Sequence, residues 1–455
     1  MTNGIGTDRS VSPLDRERIA HLEVGHTDIS PTLARTLVIS FLLLLAALPL
    51  IELAKRGDTG GAGGKGAAGA AGAAGAAGAA GAAGAAGAAG AAGAPGAVGA
   101  VRALVQANRE LLARMSAFEA ALEDQSAIGN ALRPPTQRVL TGSLGAGNER
   151  VYVGRDGWLF YRPDVEYVTG RGFLDPREHE RRIAAASEYE TPPQPDPRRA
   201  ILQFTRDLDA RGITLVIVPA PVKPTIHPER LAGRALEAGS RVVHNVSYRA
   251  FLDDLQREGV LVFDPADEIA RMRDAGTPHY LATDTHWRPE TVQRVAEALA
   301  AFVEEHAALP PLPPAGYTAE RREARQTGDT LAMLDLPEGQ TRYPPERVTL
   351  RFIVDRDGNP WRSSREADVL LLGDSFTNIY SLATMGWGEA AGFGEQLSFA
   401  LQRPVDRIIQ NDQGAHATRG LLARDPGRLA GTRVVIWQFA ARELAFGDWK
   451  IIEMP

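Results

Sequence analysis

An unbroken apolar run, Val369, Leu370, Leu371 and Leu372, stops abruptly at Gly373, Asp374 and Ser375. A strand with one face in water alternates apolar and polar side chains; this one does not, so both its faces must be covered. A parallel sheet packed between helices meets that condition. The pattern recurs from residue 151 onward. Strand-like runs at 213–219, 260–264, 405–409 and 434–439 alternate with helical patterns at 201–211, 247–258 and 292–306. The expected fold over 151–455 is therefore α/β, a mainly parallel sheet with flanking helices. Proline- and charge-rich stretches at 190–198 and 309–325 read as insertions, the second being either a loop near the site or a surface excursion.

In open α/β sheets, ligands bind beyond the carboxyl ends of the strands, which is where Ser375 falls. A free hydroxyl is a poor nucleophile at neutral pH and needs a base. Asp284 and His286 stand two residues apart upstream, so a turn or short extended segment lets the carboxylate orient the imidazole. Ser375, His286 and Asp284 thus supply a nucleophile, a base and an orienting acid, the set required for acyl transfer. A structural alternative makes Thr283 or Asp284 a helix cap, with His286 in the first turn. His279, His227 and His416 are weaker candidates for the base. Trp287 either offers a sugar ring an aromatic face or packs in the core. No His, Cys or carboxylate cluster has metal-ligand spacing, and neither a Walker A loop nor a dinucleotide fingerprint occurs, so no cofactor is expected.

Asp284, Thr285, His286 and Trp287, followed much later by Gly373, Asp374, Ser375 and Phe376, resemble motifs of the alginate O-acetyltransferases of the AlgJ/AlgX type. These bacterial proteins carry an SGNH-hydrolase-like domain. The resemblance extends to the segment 153–160 and to 216–229, which bears Lys223. The motifs span about 151–446 in family order, with the Asp/His pair before the serine, the reverse of ordinary SGNH hydrolases. The resemblance implies Ser375 as acyl-accepting nucleophile, His286 as general base and Asp284 as its orienter. Oxyanion donors would be the Ser375 N–H, with Gly414 and the Asn411 amide as further candidates; Asn411 could instead cap the following helix. Lys223 would lie near the active face. Arg442, after the run 434–439, would bind substrate or form an ion pair beneath the site. The implied activity is O-acetylation of an exported polysaccharide acceptor, fed by a membrane-bound acyl-donor protein. A carbohydrate esterase of the same fold and a non-catalytic polysaccharide-binding scaffold are the rival readings.

The N-terminal third places this chemistry. Residues 1–34 are polar and read as a disordered cytoplasmic tail. Residues 35–53 are almost wholly apolar between Arg35 and Glu52. They are slightly short of the ~20 residues of a typical span, which Arg35 and Lys55 extend by snorkelling. Without a small-residue cleavage site the segment reads as a single-pass signal anchor in the inner membrane. Basic residues stand on both sides, so the extracytoplasmic placement of the domain follows from the resemblance alone. Glycine then falls at every third position across 57–100, the Gly-X-Y pattern of a collagen-like stalk, but Pro95 is the tract's only proline and a flexible spacer fits as well. At 101–125, Val101, Leu104, Asn108, Leu111, Met115, Phe118 and Leu122 occupy a and d positions of a coiled coil. That pattern suggests a homo-oligomer; the alternative is a helix packed on its own domain. Residues 126–150, with Pro134 and Pro135, read as a linker. A net charge of −6 argues against nonspecific nucleic-acid binding, and the lack of cysteine permits an oxidising compartment without identifying one.

Overall fold

The computed structural model of the chain describes residues 126–186, 191–232, 242–273, 278–412, 414 and 416–455. The expected tail, anchor, stalk and coiled coil at 1–125 lie outside these residues. Among the described residues no helix is long and apolar enough to cross a membrane.

The strands in chain order are β1 (Val151–Val153), β2 (Leu159–Tyr161), β3 (Thr214–Ala220), β4 (Leu261–Val262), β5 (Thr318–Gln326), β6 (Glu346–Val354), β7 (Val369–Gly373), β8 (Asp406–Ile409) and β9 (Val434–Ala440). Five of them form one sheet in the order β4-β3-β9-β7-β8, and every pairing in it is parallel. β7, which carries the serine motif, lies inside the sheet between β8 and β9. That position explains its unbroken apolar sequence. Val369 and Leu371 enter one core with Val216, Val218 and Ile436, against helices Pro265–Arg273, Pro289–His306 and Phe393–Leu401. Leu370 and Leu372 point the other way, into a second core with Ile217, Val435 and Trp437 and helices Pro197–Asp209 and Tyr248–Arg257. Burying each such side chain contributes about 1.5–3 kcal/mol.

Several expected boundaries shift for local reasons. The helix expected at 201–211 starts at Pro197, because the Asp196 carboxylate accepts from the Arg198 N–H at 3.0 Å and proline fits the first helical position. The strand expected at 260–264 shrinks to Leu261–Val262 at the sheet edge. The 126–150 stretch expected to be a linker holds a helix, Ala127–Leu144, that runs through both prolines.

Two ribbons stand outside the main sheet. β1 and β2 form an antiparallel hairpin, whose turn places Asp156 and Gly157 at φ 52° and 80°, the left-handed region glycine favours. The supposed insertion at 309–325 supplies most of β5, which pairs with β6 along its whole length, from Thr318 opposite Val354 to Gln326 opposite Glu346. β5 is mostly exposed, while β6 buries Val348, Leu350, Phe352 and Val354.

Candidate active site

Ser375 begins the short helix Ser375–Asn378 directly after β7. Its elbow is fixed from β9. The Asp374 Oδ1 accepts from the Phe376 N–H at 2.9 Å and from Gln438 Nε2 at 2.8 Å, and its Oδ2 accepts from the Ala440 N–H at 2.6 Å. Gln438 Oε1 returns the bond, accepting from the Asp374 N–H and from Thr377 Oγ1. Gly373 is required by space: a Cβ there would meet Thr377 Oγ1 at 2.2 Å. Ser375 itself is 9 % exposed. As the first helical residue its N–H has no intrahelical acceptor and is free to serve an oxyanion.

Asp284 and His286 lie in the loop between Tyr280 and Trp287, which face each other in an antiparallel bridge. The helix that follows starts at Pro289, with Arg288 in the cap position, so neither Thr283 nor Asp284 caps it. His286 Nδ1 and Asp284 Oδ1 are 2.6 Å apart, and Asp284 Oδ1 also accepts from the His286 N–H at 3.1 Å. Asp284 Oδ2 accepts from Trp387 Nε1 at 3.0 Å and from the Asp329 N–H at 3.1 Å. Burial works to raise the Asp284 pKa, but its bond to His286, the imidazole charge and these N–H donors hold it below the usual carboxylate range. Burial works in the opposite direction on His286; the Asp284 hydrogen bond and charge win, and the imidazole is raised above its ordinary value. Its Nε2 is buried and has no hydrogen-bond partner. The imidazole lies against the ring of Phe376, the neighbour of Ser375, with centroids 4.9 Å apart. No hydrogen bond joins Ser375 Oγ to Nε2 in this conformation.

The loop is held from several sides. Glu346, at the start of β6, accepts from the Ala282 and Thr283 N–H groups, each at 3.0 Å. The turn after β5 closes on the other flank: the Gly328 N–H donates to Thr283 Oγ1 at 3.2 Å, and Thr330 Oγ1 donates to Thr283 O at 2.5 Å. Trp287 is fully buried, donates to Tyr280 Oη at 2.8 Å, and packs edge-on against Phe376, so its ring belongs to the core. Tyr380 Oη donates to the Trp287 carbonyl at 2.7 Å.

Lys223 is wholly buried, its Nζ donating to Leu159 O at 2.7 Å and Ala282 O at 3.2 Å. It ties the β1–β2 hairpin to the Asp284 loop, and burial lowers its pKa to about 8. Arg442, beyond β9, donates to Asp164 Oδ1 at 3.0 Å and stacks over Tyr161. Burial opposes its charge, but the carboxylates of Asp164, Glu443 and Asp374 raise its pKa. Gly414 is buried beside Asp374; a Cβ there would come within 3.4 Å of Asp374 Cβ. Asn411, in the loop after β8, meets the end of the short helix, accepting from Asn378 Nδ2 at 2.8 Å with its own Nδ2 toward Met385 Sδ. Among the other histidines, His227 has a carboxylate two residues on, Glu229 Oε1, 3.1 Å from Nδ1, and its Nε2 accepts from the His279 N–H. That pair belongs to a separate cluster with Trp158. His416 occupies the cap position before helix Ala417–Arg424.

Asp329, Trp387 and Gln438 escaped sequence reasoning. Only Gln438 carried a signal, as a polar residue inside an apolar strand. Asp284, His286 and Asp329 bring ligand-type atoms within 4.8 Å of one another. These atoms are already engaged in hydrogen bonds, Nδ1 above all, so the cluster reads as an orienting network for the imidazole.

Residues 151–441 match the family described as "SGNH hydrolase-like domain, acetyltransferase AlgX". The probable alginate O-acetylase AlgJ of Pseudomonas aeruginosa is 26 % identical over 306 residues, covering 66 % of this chain and 71 % of that protein. Its counterpart in Azotobacter vinelandii is 24 % identical over 310 residues, covering 66 % and 71 %. Among solved structures, the O-acetyltransferase domain of Pseudomonas putida AlgJ aligns with a TM-score of 0.49 at 23 % identity, over 66 % of this chain and 93 % of that one.

Proposed function

This chain belongs to the AlgX acetyltransferase family of SGNH hydrolase-like domains, and from that premise we propose that it transfers acetyl groups to hydroxyls of an exported bacterial polysaccharide through Ser375, His286 and Asp284. The observation that carries the reading is the pairing of His286 Nδ1 with Asp284 at 2.6 Å, which leaves a buried, unpartnered Nε2 on an imidazole packed against Phe376, the residue after the strand-end serine. A carboxylate on Nδ1 fixes the tautomer that makes Nε2 the base.

In the cycle, Ser375 Oγ attacks the carbonyl carbon of a donor acetyl ester while His286 Nε2 takes its proton. The resulting imidazolium is stabilised by Asp284. The carbonyl reforms, the bond to the donor oxygen breaks, and His286 returns the proton to that leaving oxygen. A sugar hydroxyl then attacks the acetyl-serine, giving its proton to Nε2. Collapse releases the acetylated sugar, and the proton passes back to Ser375 Oγ. Proton transfer of this kind contributes about 10²–10⁴-fold to rate. The Ser375 N–H, with Gly414 and the Asn411 amide, would bind the oxyanion. Lys223 holds the Asp284 loop from beneath, and Arg442 lies at the substrate-facing end of β9.

The reading places the domain outside the cytoplasm, tethered by a single span at 35–53 and fed by a membrane-bound acyl-donor protein. The heptads at 101–125 would join copies of the chain. Their d register continues to Leu132 and Val139 of the helix Ala127–Leu144, which are 60 % and 61 % exposed.

The test is transfer itself. The chain is incubated with p-nitrophenyl acetate and oligosaccharides, and acetylated sugar and free acetate are measured. Acetylated sugar formed by the wild type and lost in Ser375→Ala supports the proposal. Acetate release without sugar acetylation favours an esterase, and no turnover by folded protein favours a binding scaffold.

A further inference from the structure

Asp329 has no part in the cycle above and lies far from the Asp284 motif in sequence. It opens the short helix Asp329–Met333, just after β5, and touches the catalytic loop at several points. Its N–H donates to Asp284 Oδ2 at 3.1 Å. Its Oδ1 accepts from the Thr285 N–H at 2.8 Å, and its Oδ2 accepts from Thr285 Oγ1 at 2.6 Å. That hydroxyl oxygen is 3.0 Å from His286 Nδ1, and Asp329 Oδ2 is itself 3.7 Å from Nδ1. One imidazole edge therefore faces two carboxylates, one in direct contact and one behind a threonine hydroxyl.

We propose that Asp329 is a second positioning carboxylate for His286, one that locks the Asp284-Thr285-His286 loop through Thr285 and adds its negative charge to that of Asp284 when the imidazole takes a proton. The inference rests on His286 being the base. A purely structural pin would need only hydrogen-bond acceptors. Here the pin is an anion placed within a few ångströms of the charge that develops, where a full charge acts strongly.

The surroundings permit this role. The groups facing His286 are Asp284, Asp329, Arg442 from the end of β9, and Asp164 from helix Arg162–Thr169. Those facing Asp329 are Asp284, His286, Lys223 and Tyr161. Asp329 is partly buried, with 30 % of its side chain exposed. Burial and the Asp284 charge push its pKa up to about 6. Its charge is thus present above that pH and withdrawn below it, so the support it gives the imidazolium is itself pH-dependent.

The experiment uses the full chain in detergent micelles, with two independent readouts: kcat/KM for p-nitrophenyl acetate against pH, and titration of the His286 imidazole by NMR of ¹⁵N-histidine-labelled protein, assigned with His286→Gln. Asp329→Asn keeps an acceptor for the Thr285 N–H and removes the charge. The expected result is an acid limb and an imidazole pKa both lower by about one unit, with plateau kcat/KM reduced about tenfold. Asp329→Glu should return the limb toward wild type. In the wild type alone, the His286 signal should show a second inflection near pH 6 as Asp329 titrates, so the test survives a variant that fails to fold. A single inflection, or an Asp329→Asn protein with an unmoved imidazole pKa, overturns the proposal. Absence of ester turnover in the wild type would instead sink the acetyl-transfer reading, while the imidazole titration still decides the role of Asp329.

Discussion

Gly328 is the point at which the ribbon presses hardest on the catalytic loop. Its φ of −84° is ordinary, so what demands glycine is space. A Cβ would stand 2.1 Å from Thr283 O, 2.3 Å from Thr283 C and 2.5 Å from Asp284 Cβ. Those neighbours are backbone and a buried carboxylate stem, so they cannot swing aside as a long side chain would. Relief requires the loop and the turn to part by about 1 Å. That movement stretches the Asp329 N–H bond to Asp284 and the Gly328 N–H bond to Thr283 Oγ1. Gly328→Ala should therefore cost about 1–3 kcal/mol of stability by overpacking. A misplacement of about 1 Å in catalytic geometry should lower kcat about 10²-fold. The assay is p-nitrophenyl acetate turnover beside thermal unfolding, with Gly142→Ala as control, since a Cβ at Gly142 meets nothing within 4 Å. A folded Gly328→Ala protein with wild-type kcat would refute the claim that the ribbon turn sets the position of Asp284.

Other consequences can be checked separately. Lys223 has a folded pKa of about 8, depressed from about 10.5, so the unfolded chain holds its proton over that interval while the folded one releases it. Stability from this group should rise between about pH 8 and 10.5, and Lys223→Met should abolish the rise in pH-dependent denaturant unfolding. Trp387→Phe removes the indole donor to Asp284 Oδ2; a lost bond to a charged group should cost about 1.5–3 kcal/mol and lower turnover, read by unfolding and by ester kinetics. The chain has no cysteine, so single Leu132→Cys and Val139→Cys variants of the full chain report on the proposed seam between copies. Both should form disulfide-linked dimers under mild oxidation, whereas Arg138→Cys should not; equal cross-linking at all three positions would count against the seam.

The parts of this fold legible in the sequence are those where burial alone dictates the residue type. β3, β7 and β9 were readable within a residue or two because strands covered on both faces are almost wholly apolar, whereas the edge strand β8, which opens with Asp406 and Arg407, was readable only from its apolar end at Ile408 and Ile409. The β5–β6 ribbon was not. Glu320, Arg321, Arg322, Glu323 and Arg325 are exposed residues without apolar alternation, and only pairing with β6 makes that segment a strand. Pro134 and Pro135 signalled a break, yet the helix Ala127–Leu144 contains them both. The site divides in the same way. The Asp284–His286 pairing was readable because a spacing of two is a local geometric fact. Asp329 and Trp387 approach Asp284 from 45 and 103 residues away, and nothing in a linear sequence marks such a meeting. Lys223 could equally have been a surface lysine by its sequence; its burial follows from two carbonyls that only the folded hairpin and loop bring together.

The central claim is that Ser375 carries the acetyl group, and intact-protein and peptide mass spectrometry after a brief exposure to p-nitrophenyl acetate tests it most directly. The account predicts a single acetyl adduct on Ser375 that is absent in Ser375→Ala, strongly reduced in His286→Ala, and discharged when a sugar acceptor is added. A folded chain that hydrolyses the ester with no adduct on Ser375, or whose adduct forms equally without His286, would contradict it.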